Sequence, residues 1–240
     1  MHFSKVLRRA LRPKKMPTDR ERHPRYHFQD RKLIYLITNG QTNSDTTPAS
    51  GEFAGLLALA QAAVDARVDL FQIREKNLSA KSLFVLTERI AAIARASDTK
   101  LLVNDRADVA ASAGADGVHL ATNSLPASVI RRTFGADFLI GVSTHSLAEA
   151  VAAGANDADF VVFGPVFSTE AKQEYGEPQG LERLEKVAAE LGDFPVLALG
   201  GINVERIAGC MRAGARGVAA ISMLRDPLQL HGVVAQIRKS

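Results

Sequence analysis

The sequence has almost no cysteine and no long apolar run. Cys210 is the single cysteine of 240 residues, which excludes an internal disulfide framework and fits a reducing compartment. It lies in a segment with helical spacing, so we expect a small buried residue rather than a nucleophile. No apolar run reaches the length of about 18 residues that a membrane span needs. These absences predict a cytoplasmic protein without a membrane span.

The histidines are not concentrated in the main part of the chain. His2, His23 and His27 lie in the leader and His231 lies in the last helical segment, and we expect no zinc site. His119 lies in an apolar, strand-like run. We interpret it as a packed side chain, or one that supports the site, rather than as a base.

Positive charge is confined to the start of the chain. Residues 1–32 hold 11 Lys/Arg and 3 Asp/Glu, whereas the other 208 residues carry a balance of −4. We interpret residues 1–32 as a basic, solvated leader; an organellar transit peptide is a less favoured alternative, because the segment is not Ser-rich. The acidic remainder, residues 33–240, is not expected to bind nucleic acid.

From residue 33 onward, strand-like and helix-like segments alternate. The clearest helical patterns cover residues 53–66 and 82–96, with apolar residues recurring at intervals of three and four. Such alternation requires parallel strands with right-handed crossovers, and eight units in about 210 residues favour a single-domain (β/α)₈ TIM barrel. An open doubly wound sheet is the alternative, but the Gly-rich fingerprint after its first strand is missing. The predicted strands are residues 33–39, 68–74, 100–104, 117–120, 138–142, 159–164, 194–199 and 217–222.

A weak internal repeat accompanies this alternation. The triplet Ala-Gly-Ala occurs at residues 113–115, 153–155 and 213–215, each time between a helical pattern and a strand. Glycine after a helix adopts the left-handed conformation at little cost. We therefore predict that each glycine forms the turn at the bottom of the barrel.

Catalytic residues of a TIM barrel lie at the carboxyl ends of its strands. In "FQIREKN" (71–77) an apolar strand ends in three charges, and Asp105 follows the next strand. Together with Lys172 of the loop after strand 6, Arg74 and Lys76 predict a site for a diphosphate bound with Mg²⁺. A second site, for a phosphate, is predicted where Gly200 and Gly201 follow strand 7.

In their order and spacing these segments resemble the thiamine phosphate synthase family, which includes thiazole tautomerases. The resemblance extends from about Leu33 to Arg225 and does not include the leader. The motifs that carry it are "QIREK" (72–76), "VNDRADVA" (103–110), "GADGVHL" (114–120), "GVSTHS" (141–146), "FGPVF" (163–167), "GLERL" (180–184), "ALGGI" (198–202) and "AGARGVAAIS" (213–222).

The resemblance implies an enzyme that joins a hydroxymethylpyrimidine diphosphate to a thiazole phosphate and releases diphosphate. Diphosphate departs to leave a pyrimidine carbocation, which the thiazole nitrogen attacks. Arg74 and Lys76 would hold the diphosphate, with Glu75 orienting one of them or pointing away. By the same resemblance, the diphosphate site consists of Gln72, Arg74, Lys76, Asn104, Ser143 and Lys172, the Mg²⁺ ligand is Asp105, and the thiazole phosphate site consists of Thr169, Gly200, Gly201, Ile221 and Ser222.

Two departures from the family pattern fall at the expected site. Ser124 stands where the family has a second Mg²⁺ carboxylate, and Ala171 replaces a threonine, so we expect a weakened Mg²⁺ site. A thiazole tautomerase also lacks that carboxylate and uses a histidine that matches His145. The alternatives are therefore a metal-free tautomerase and a non-catalytic barrel that binds phosphate ligands. The sequence does not indicate an oligomeric state.

Overall fold

The computed structural model describes residues 31–168 and 177–240. Eight parallel strands pair in sequence order, and β8 pairs with β1, which closes the barrel. The (β/α)₈ prediction is thus confirmed and the open sheet is excluded. The strands are β1 Leu33–Ile37, β2 Leu70–Ile73, β3 Lys100–Asn104, β4 Gly117–Leu120, β5 Leu139–Thr144, β6 Phe160–Phe163, β7 Val196–Leu199 and β8 Gly217–Ala220.

Each strand of the described chain is followed by a helix that packs outside the barrel. The helices are α1 Gly51–Asp65, α2 Ala80–Ala94, α3 Ala107–Ser112, α4 Ala127–Phe134, α5 Leu147–Ala155, α6 Gly180–Leu191, α7 Val204–Arg212 and α8 Leu230–Lys239. A 3₁₀ turn, Ser222–Leu224, precedes α8. The two helices with the clearest periodicity, α1 and α2, each begin two residues earlier than their apolar pattern. For α2 the cause is visible, because the Ser79 side chain accepts a hydrogen bond from the backbone N–H of Ser82 and caps the helix.

Alternation along the strands divides the core into two layers. One set of side chains fills the barrel interior, including Leu33 and Tyr35 of β1 and Leu70 of β2, while the intervening set packs against the helices. The same period of two directs the next positions along the strands, Gln72, Asn104 and His119, towards the interior as well. The interior is therefore apolar at the bottom and polar where the strands end.

The turns that enter the even-numbered strands share one conformation. A residue with positive φ lies three positions before β2, β4, β6 and β8, and these residues are Arg67, Gly114, Asp157 and Gly214. The prediction for the Ala-Gly-Ala triplets is therefore confirmed for Gly114 and Gly214. It is wrong for Gly154, which lies inside α5, because three additional residues separate this triplet from its strand and Asp157 takes the left-handed position.

Aspartates immediately before three of these strands pair with the preceding strand. Each carboxylate accepts the backbone N–H of the second residue of that strand at 2.7–2.8 Å: Asp69 from Ile34, Asp116 from Leu101 and Asp159 from Ile140. Asp69 also forms ion pairs with Arg31 and Arg238, each at 2.7 Å. The first and last segments of the barrel thus meet at one buried carboxylate.

Arg31 and Lys32, the last two residues of the expected leader, lie against the barrel in the structure. Residues 1–30 lie outside the described residues, whereas Arg31 and Lys32 contact the barrel, since Arg238 also donates to the carbonyl of Lys32. The described barrel closes entirely through its own contacts from Arg31 onward.

We therefore expect removal of residues 1–30 to leave the melting temperature and ligand affinity unchanged. Replacing Arg31 by Ala in the same truncated chain should cost about 1 kcal/mol, because Asp69 then keeps only one cation. Thermal unfolding followed by circular dichroism measures both effects. A large loss of stability on removing residues 1–30 alone would contradict this division of the chain.

Candidate active site

A continuous hydrogen-bond chain crosses the ends of β2, β3 and β4. Gln72 donates through Nε2 to Asn104 Oδ1 at 3.0 Å, and Asn104 donates through Nδ2 to Asp105 Oδ2 at 2.8 Å. The other carboxylate oxygen of Asp105 accepts from the Ser124 hydroxyl and, at 3.1 Å, from the backbone N–H of Ala121. The structure thus brings together Gln72, Asn104 and Asp105 as predicted, and it places Ser124 in direct contact with Asp105.

Asp105 occupies an unusual backbone conformation. Its φ of 58° is left-handed, which a short polar residue tolerates better than most. Its N–H donates to the carbonyl of His119 at 2.9 Å, which ties the residue to the end of β4. The carboxylate is therefore held in one place by both its backbone and its three hydrogen-bond donors.

His119 is buried beneath this chain. Its Nε2 lies 2.9 Å from the hydroxyl of Ser143, and its ring is flanked by those of Tyr35 and Phe160. Burial lowers the pKa of His119 to about 4; the Asp105 carboxylate opposes that shift and Arg74 adds to it. The imidazole is neutral at physiological pH, as expected for a packed residue rather than a base.

Three buried polar atoms of the interior have no hydrogen-bond partner among the described residues. They are Tyr35 Oη, Gln72 Oε1 and His119 Nδ1. Buried polar groups are normally paired, and an unpaired one costs about 1–3 kcal/mol. This part of the interior can therefore satisfy a polar ligand with both donors and acceptors.

The charged residues after β2 separate into three environments. Arg74 is half-buried, and its backbone N–H donates to the hydroxyl of Thr38 at 2.8 Å. Lys76 is exposed, whereas Glu75 is buried with an exposed fraction of 3%. The side chain of Glu75 bonds to the loop after β1. Of the two roles predicted for it, the structure shows the second, in which it points away from Arg74 and Lys76.

The loop after β7 is packed closely against the loop after β6. Gly200 and Gly201 have φ of 100° and 61°. A Cβ on Gly200 would lie 2.5 Å from Pro165 Cβ, and one on Gly201 would lie 2.6 Å from the Ser168 carbonyl oxygen. Only glycine fits both positions, which allows the two loops to pack this closely.

Helix α7 begins directly after this turn. Asn203 caps it by accepting the N–H of Arg206 at 3.0 Å, and Arg206 donates to the Gly201 carbonyl at 2.6 Å while its guanidinium lies over the ring of Phe167. Opposite, the half-buried Ile221 and the exposed Ser222 follow β8 and lead into the 3₁₀ turn. The glycine turn, the amino end of α7 and the end of β8 thus share one rim. Thr169, predicted for the thiazole phosphate site, and Lys172, predicted for the diphosphate site, lie outside the described residues.

His145 is oriented by two neighbours at the end of β5. Its Nδ1 lies 2.5 Å from the carbonyl oxygen of Gly164, and its backbone N–H donates to Glu149 at 2.7 Å. Because a carbonyl can only accept, Nδ1 carries the proton. The neutral ring then has an unprotonated Nε2.

Sequence reasoning did not single out Tyr35, Thr42 or Arg206. Tyr35 could have been found by applying to the first strand the same period of two that directs Gln72 of the second strand towards the interior. The contacts of Thr42 and Arg206 depend on loop conformations, for which the sequence has no periodic signal.

Comparison with known proteins bears on this architecture. The family profile described as Thiamine monophosphate synthase matches residues 34–224, nearly the whole barrel. The chain belongs to this family. It is 42% identical over 194 residues to a thiamine-phosphate synthase of Methanoculleus marisnigri, which covers 79% of this chain and 85% of that protein. It is 37% identical over 192 residues to the thiamine-phosphate synthase of Roseiflexus castenholzii, covering 80% of each chain.

A solved structure supports the same assignment. The thiamine phosphate pyrophosphorylase from Pyrococcus furiosus superimposes with a TM-score of 0.71 at 28% identity, covering 88% of this chain and 95% of that one. The resemblance noted in the sequence is thereby confirmed at the level of family and fold. In residues 31–168 and 177–240 no helix is both long and apolar enough to cross a membrane.

Proposed function

We propose that this member of the family is a thiamine phosphate synthase, which joins hydroxymethylpyrimidine diphosphate to thiazole phosphate and releases diphosphate. The observation that carries the proposal is the hydrogen-bond chain from Gln72 through Asn104 and Asp105 to Ser124, with Arg74 beside it and the glycine turn on the same rim. One polar site and one phosphate turn at a shared rim fit two phosphorylated substrates. The lone buried thiol of Cys210 accords with the proposed cytoplasmic location.

The pyrimidine diphosphate would occupy the side of β2 to β5. The unpaired atoms of Gln72, His119 and Tyr35 suit a ring that carries an amino group and ring nitrogens. Above them, Arg74 and Lys76 would bind the diphosphate oxygens, together with Asn104, Ser143 and Lys172. The thiazole phosphate would bind at Gly200 and Gly201 next to the amino end of α7, with Thr169, Ile221 and Ser222.

The residues present fit a magnesium ion that shares its ligands with a diphosphate. Asp105 supplies one carboxylate, and no group of three or more His, Cys, Asp or Glu comes together among the described residues. Mg²⁺ commonly binds through one or two carboxylates plus phosphate oxygens and keeps several waters. Asp105 would hold the ion, with the Ser124 hydroxyl next to it. When bound, the ion supplies positive charge to the departing diphosphate.

The reaction requires stabilisation of the charge on the leaving diphosphate and proximity of the thiazole nitrogen, rather than a strong base. The C–O bond to diphosphate breaks with its electron pair leaving on oxygen, and the thiazole nitrogen donates its lone pair to form the new C–N bond. Arg74 and Lys76 stabilise the negative charge on the leaving group, since they face it in a partly dehydrated site. The neutral His119 below adds no positive charge next to the pyrimidine carbocation. The turn at Gly200 and Gly201 fixes the thiazole by its phosphate, which keeps the nucleophile close.

Replacing Lys76 by Ala tests the diphosphate site. We expect pyrimidine diphosphate binding to weaken by about 10- to 100-fold, because one charged hydrogen bond is worth about 1.5–3 kcal/mol, while thiazole phosphate binding changes little. Titration calorimetry with each substrate measures both affinities. Lys239→Ala is the matched control, since Lys239 is an exposed lysine at the carboxyl end of α8, on the face of the barrel opposite the strand ends. Equal losses for both substrates would point to a structural role for Lys76.

A second candidate function, isomerisation of the thiazole phosphate, is favoured by one observation. The Gly164 carbonyl accepts the Nδ1–H of His145 and so leaves Nε2 as the nitrogen available for transfer of a proton to and from carbon. Product analysis with and without Mg²⁺ separates the candidates. Thiamine phosphate from the two substrates supports the synthase. Metal-independent isomerisation that is lost in His145→Ala supports the tautomerase. If neither product forms, the result supports a non-catalytic barrel.

A further inference from the structure

Glu75 is a buried carboxylate between two cations, yet it pairs with neither. Its Oε1 accepts the backbone N–H of Gly40 at 3.0 Å. Its Oε2 accepts the backbone N–H of Thr42 at 3.2 Å and the Thr42 hydroxyl at 2.7 Å. No Lys or Arg of residues 31–168 or 177–240 lies within ion-pair distance of it. All of its side-chain bonds therefore go to the loop after β1.

Burying a carboxylate without a cation is expensive, at several kcal/mol. Hydrogen bonds to the charged form offset much of that cost, and here three donors converge on the two oxygens. These donors come from residues more than 30 positions earlier in the chain. The energetic role of Glu75 is therefore to fix the loop, which comprises residues 38–46, against the end of β2.

This loop lies directly against Arg74. Gly40 has a φ of 72°, and a Cβ placed on it would lie 3.2 Å from the Arg74 carbonyl oxygen and 3.7 Å from its Nη1. Thr38, at the start of the loop, accepts the backbone N–H of Arg74 at 2.8 Å. The guanidinium thus has the backbone of the loop as one wall, and Glu75 holds that wall in place.

The alternation of side chains along β2 explains why the neighbouring residues Arg74 and Glu75 have different roles. Gln72 and Arg74 are two positions apart and face the interior, so Glu75 faces the opposite side, beneath the loop. A side chain on that side does not contact an interior ligand. Any effect it has on ligand binding must pass through the loop and Arg74.

We propose that Glu75 is a positioning residue for the diphosphate site, which it acts on by holding residues 38–46 against Arg74. The proposal rests on the proposed function, because it takes Arg74 to bind the pyrimidine diphosphate. A guanidinium that is already aligned loses less conformational freedom on binding than one that must first be ordered. Glu75 therefore strengthens the binding of an anion although it carries a negative charge itself.

The direction in which diphosphate affinity changes when Glu75 is replaced separates positioning from a simple effect of charge. If Glu75 acted only as a negative charge close to Arg74 and Lys76, then Glu75→Gln would raise the local positive potential and tighten diphosphate binding. If it acts by positioning, the amide can replace only one of the two acceptor oxygens, the loop loosens, and binding weakens. The two accounts predict opposite changes for one isosteric substitution.

The test compares Glu75→Gln, Thr42→Val and the double variant, using binding of inorganic diphosphate and of the pyrimidine diphosphate, and steady-state kinetics. For Glu75→Gln we expect KM for the pyrimidine diphosphate to rise about tenfold, with kcat and the KM for thiazole phosphate within about twofold. Thr42→Val should show a smaller rise in the same KM. The double variant should be no worse than Glu75→Gln, because both changes disrupt the same contact. Glu52→Gln, at an exposed glutamate of α1, is the control for loss of one acidic charge.

Hydrogen exchange gives a readout that does not depend on activity. The amides of Gly40 and Thr42 should exchange faster in Glu75→Gln, while those of the barrel strands keep their rates. Unchanged exchange, tighter diphosphate binding, or equal losses for both substrates would each overturn the proposal. If the wild-type protein forms no thiamine phosphate, the proposed function is wrong and the positioning role with it. If the wild type forms the product and Glu75→Gln has unaltered kinetics, only the positioning role is wrong.

Discussion

Gly201→Ala is expected to lower kcat/KM for thiazole phosphate by more than about 100-fold. The residue has a φ of 61°, and its added methyl group would lie 2.6 Å from the Ser168 carbonyl oxygen and 2.8 Å from Phe167 Cβ. Both neighbours are backbone or attached directly to it, so the loops after β6 and β7 must move apart. The backbone N–H groups of the turn then no longer point to the phosphate together, and a transition-state contact of this kind is worth about 10²–10³ in rate.

The control for this substitution lies in the same protein. Gly114, directly after α3, has a φ of 78° and nothing within 4 Å of a Cβ, so Gly114→Ala carries the strain of a positive φ without the clash. It should cost about 1–2 kcal/mol of stability and leave the kinetics intact. The measurement is steady-state kinetics on both variants at a temperature where circular dichroism shows them folded. If the two variants had the same kinetics, the turn at Gly201 would not be the phosphate site.

Asp105→Asn is expected to lower synthase turnover by about 100- to 1000-fold. The amide keeps the shape of the carboxylate and can still accept from the Ser124 hydroxyl and Ala121 N–H, so the fold should be retained. It removes the only charged oxygen ligand that the described residues offer to Mg²⁺ at this site, and with it much of the positive charge held against the leaving diphosphate. Calorimetric titration of Mg²⁺ in the presence of inorganic diphosphate should show the loss of metal binding independently of turnover.

Ser124→Asp tests the same site in the opposite direction. The new carboxylate would stand next to that of Asp105, where the hydroxyl now donates, so that two negative charges face the metal. We expect Mg²⁺ to bind more tightly and turnover to rise, whereas Ser124→Ala should behave like the wild type within a few fold. If the wild type forms no thiamine phosphate at any Mg²⁺ concentration and Ser124→Asp does not restore it, the proposed synthase activity is wrong.

The sequence predicted the barrel because its signals are local and periodic. Strand ends could be read in order, which placed Asp105 near Arg74 and Lys76, and the family resemblance added Gln72 and Asn104. The structure joins Gln72, Asn104 and Asp105 through two hydrogen bonds. His119 was also predicted correctly as a packed residue, since it lies within an apolar strand and is buried.

The rest could not be predicted, because it depends on loop conformation or on the length of a turn. The partners of Glu75 are about 35 positions away in a loop whose path depends on the left-handed Gly40. The second Ala-Gly-Ala triplet has three additional residues before its strand, which transfers the left-handed position to Asp157. Lys172 and Thr169 stay predictions, since they lie outside the described residues.

The carboxylate of Asp69 has a consequence for how the barrel opens. It accepts from Ile34 N–H, Arg31 and Arg238, and so joins the segment before β1, strand β1 and the last helix, although it belongs to none of them. Chain ends normally fray first and exchange their amide hydrogens fastest. Here, separating either end leaves a buried anion with fewer partners, so fraying is coupled to disruption of the first βαβ unit. We therefore expect the amides at the seam between β8 and β1 to be among the last to exchange, and the ends of the barrel to unfold together with its centre.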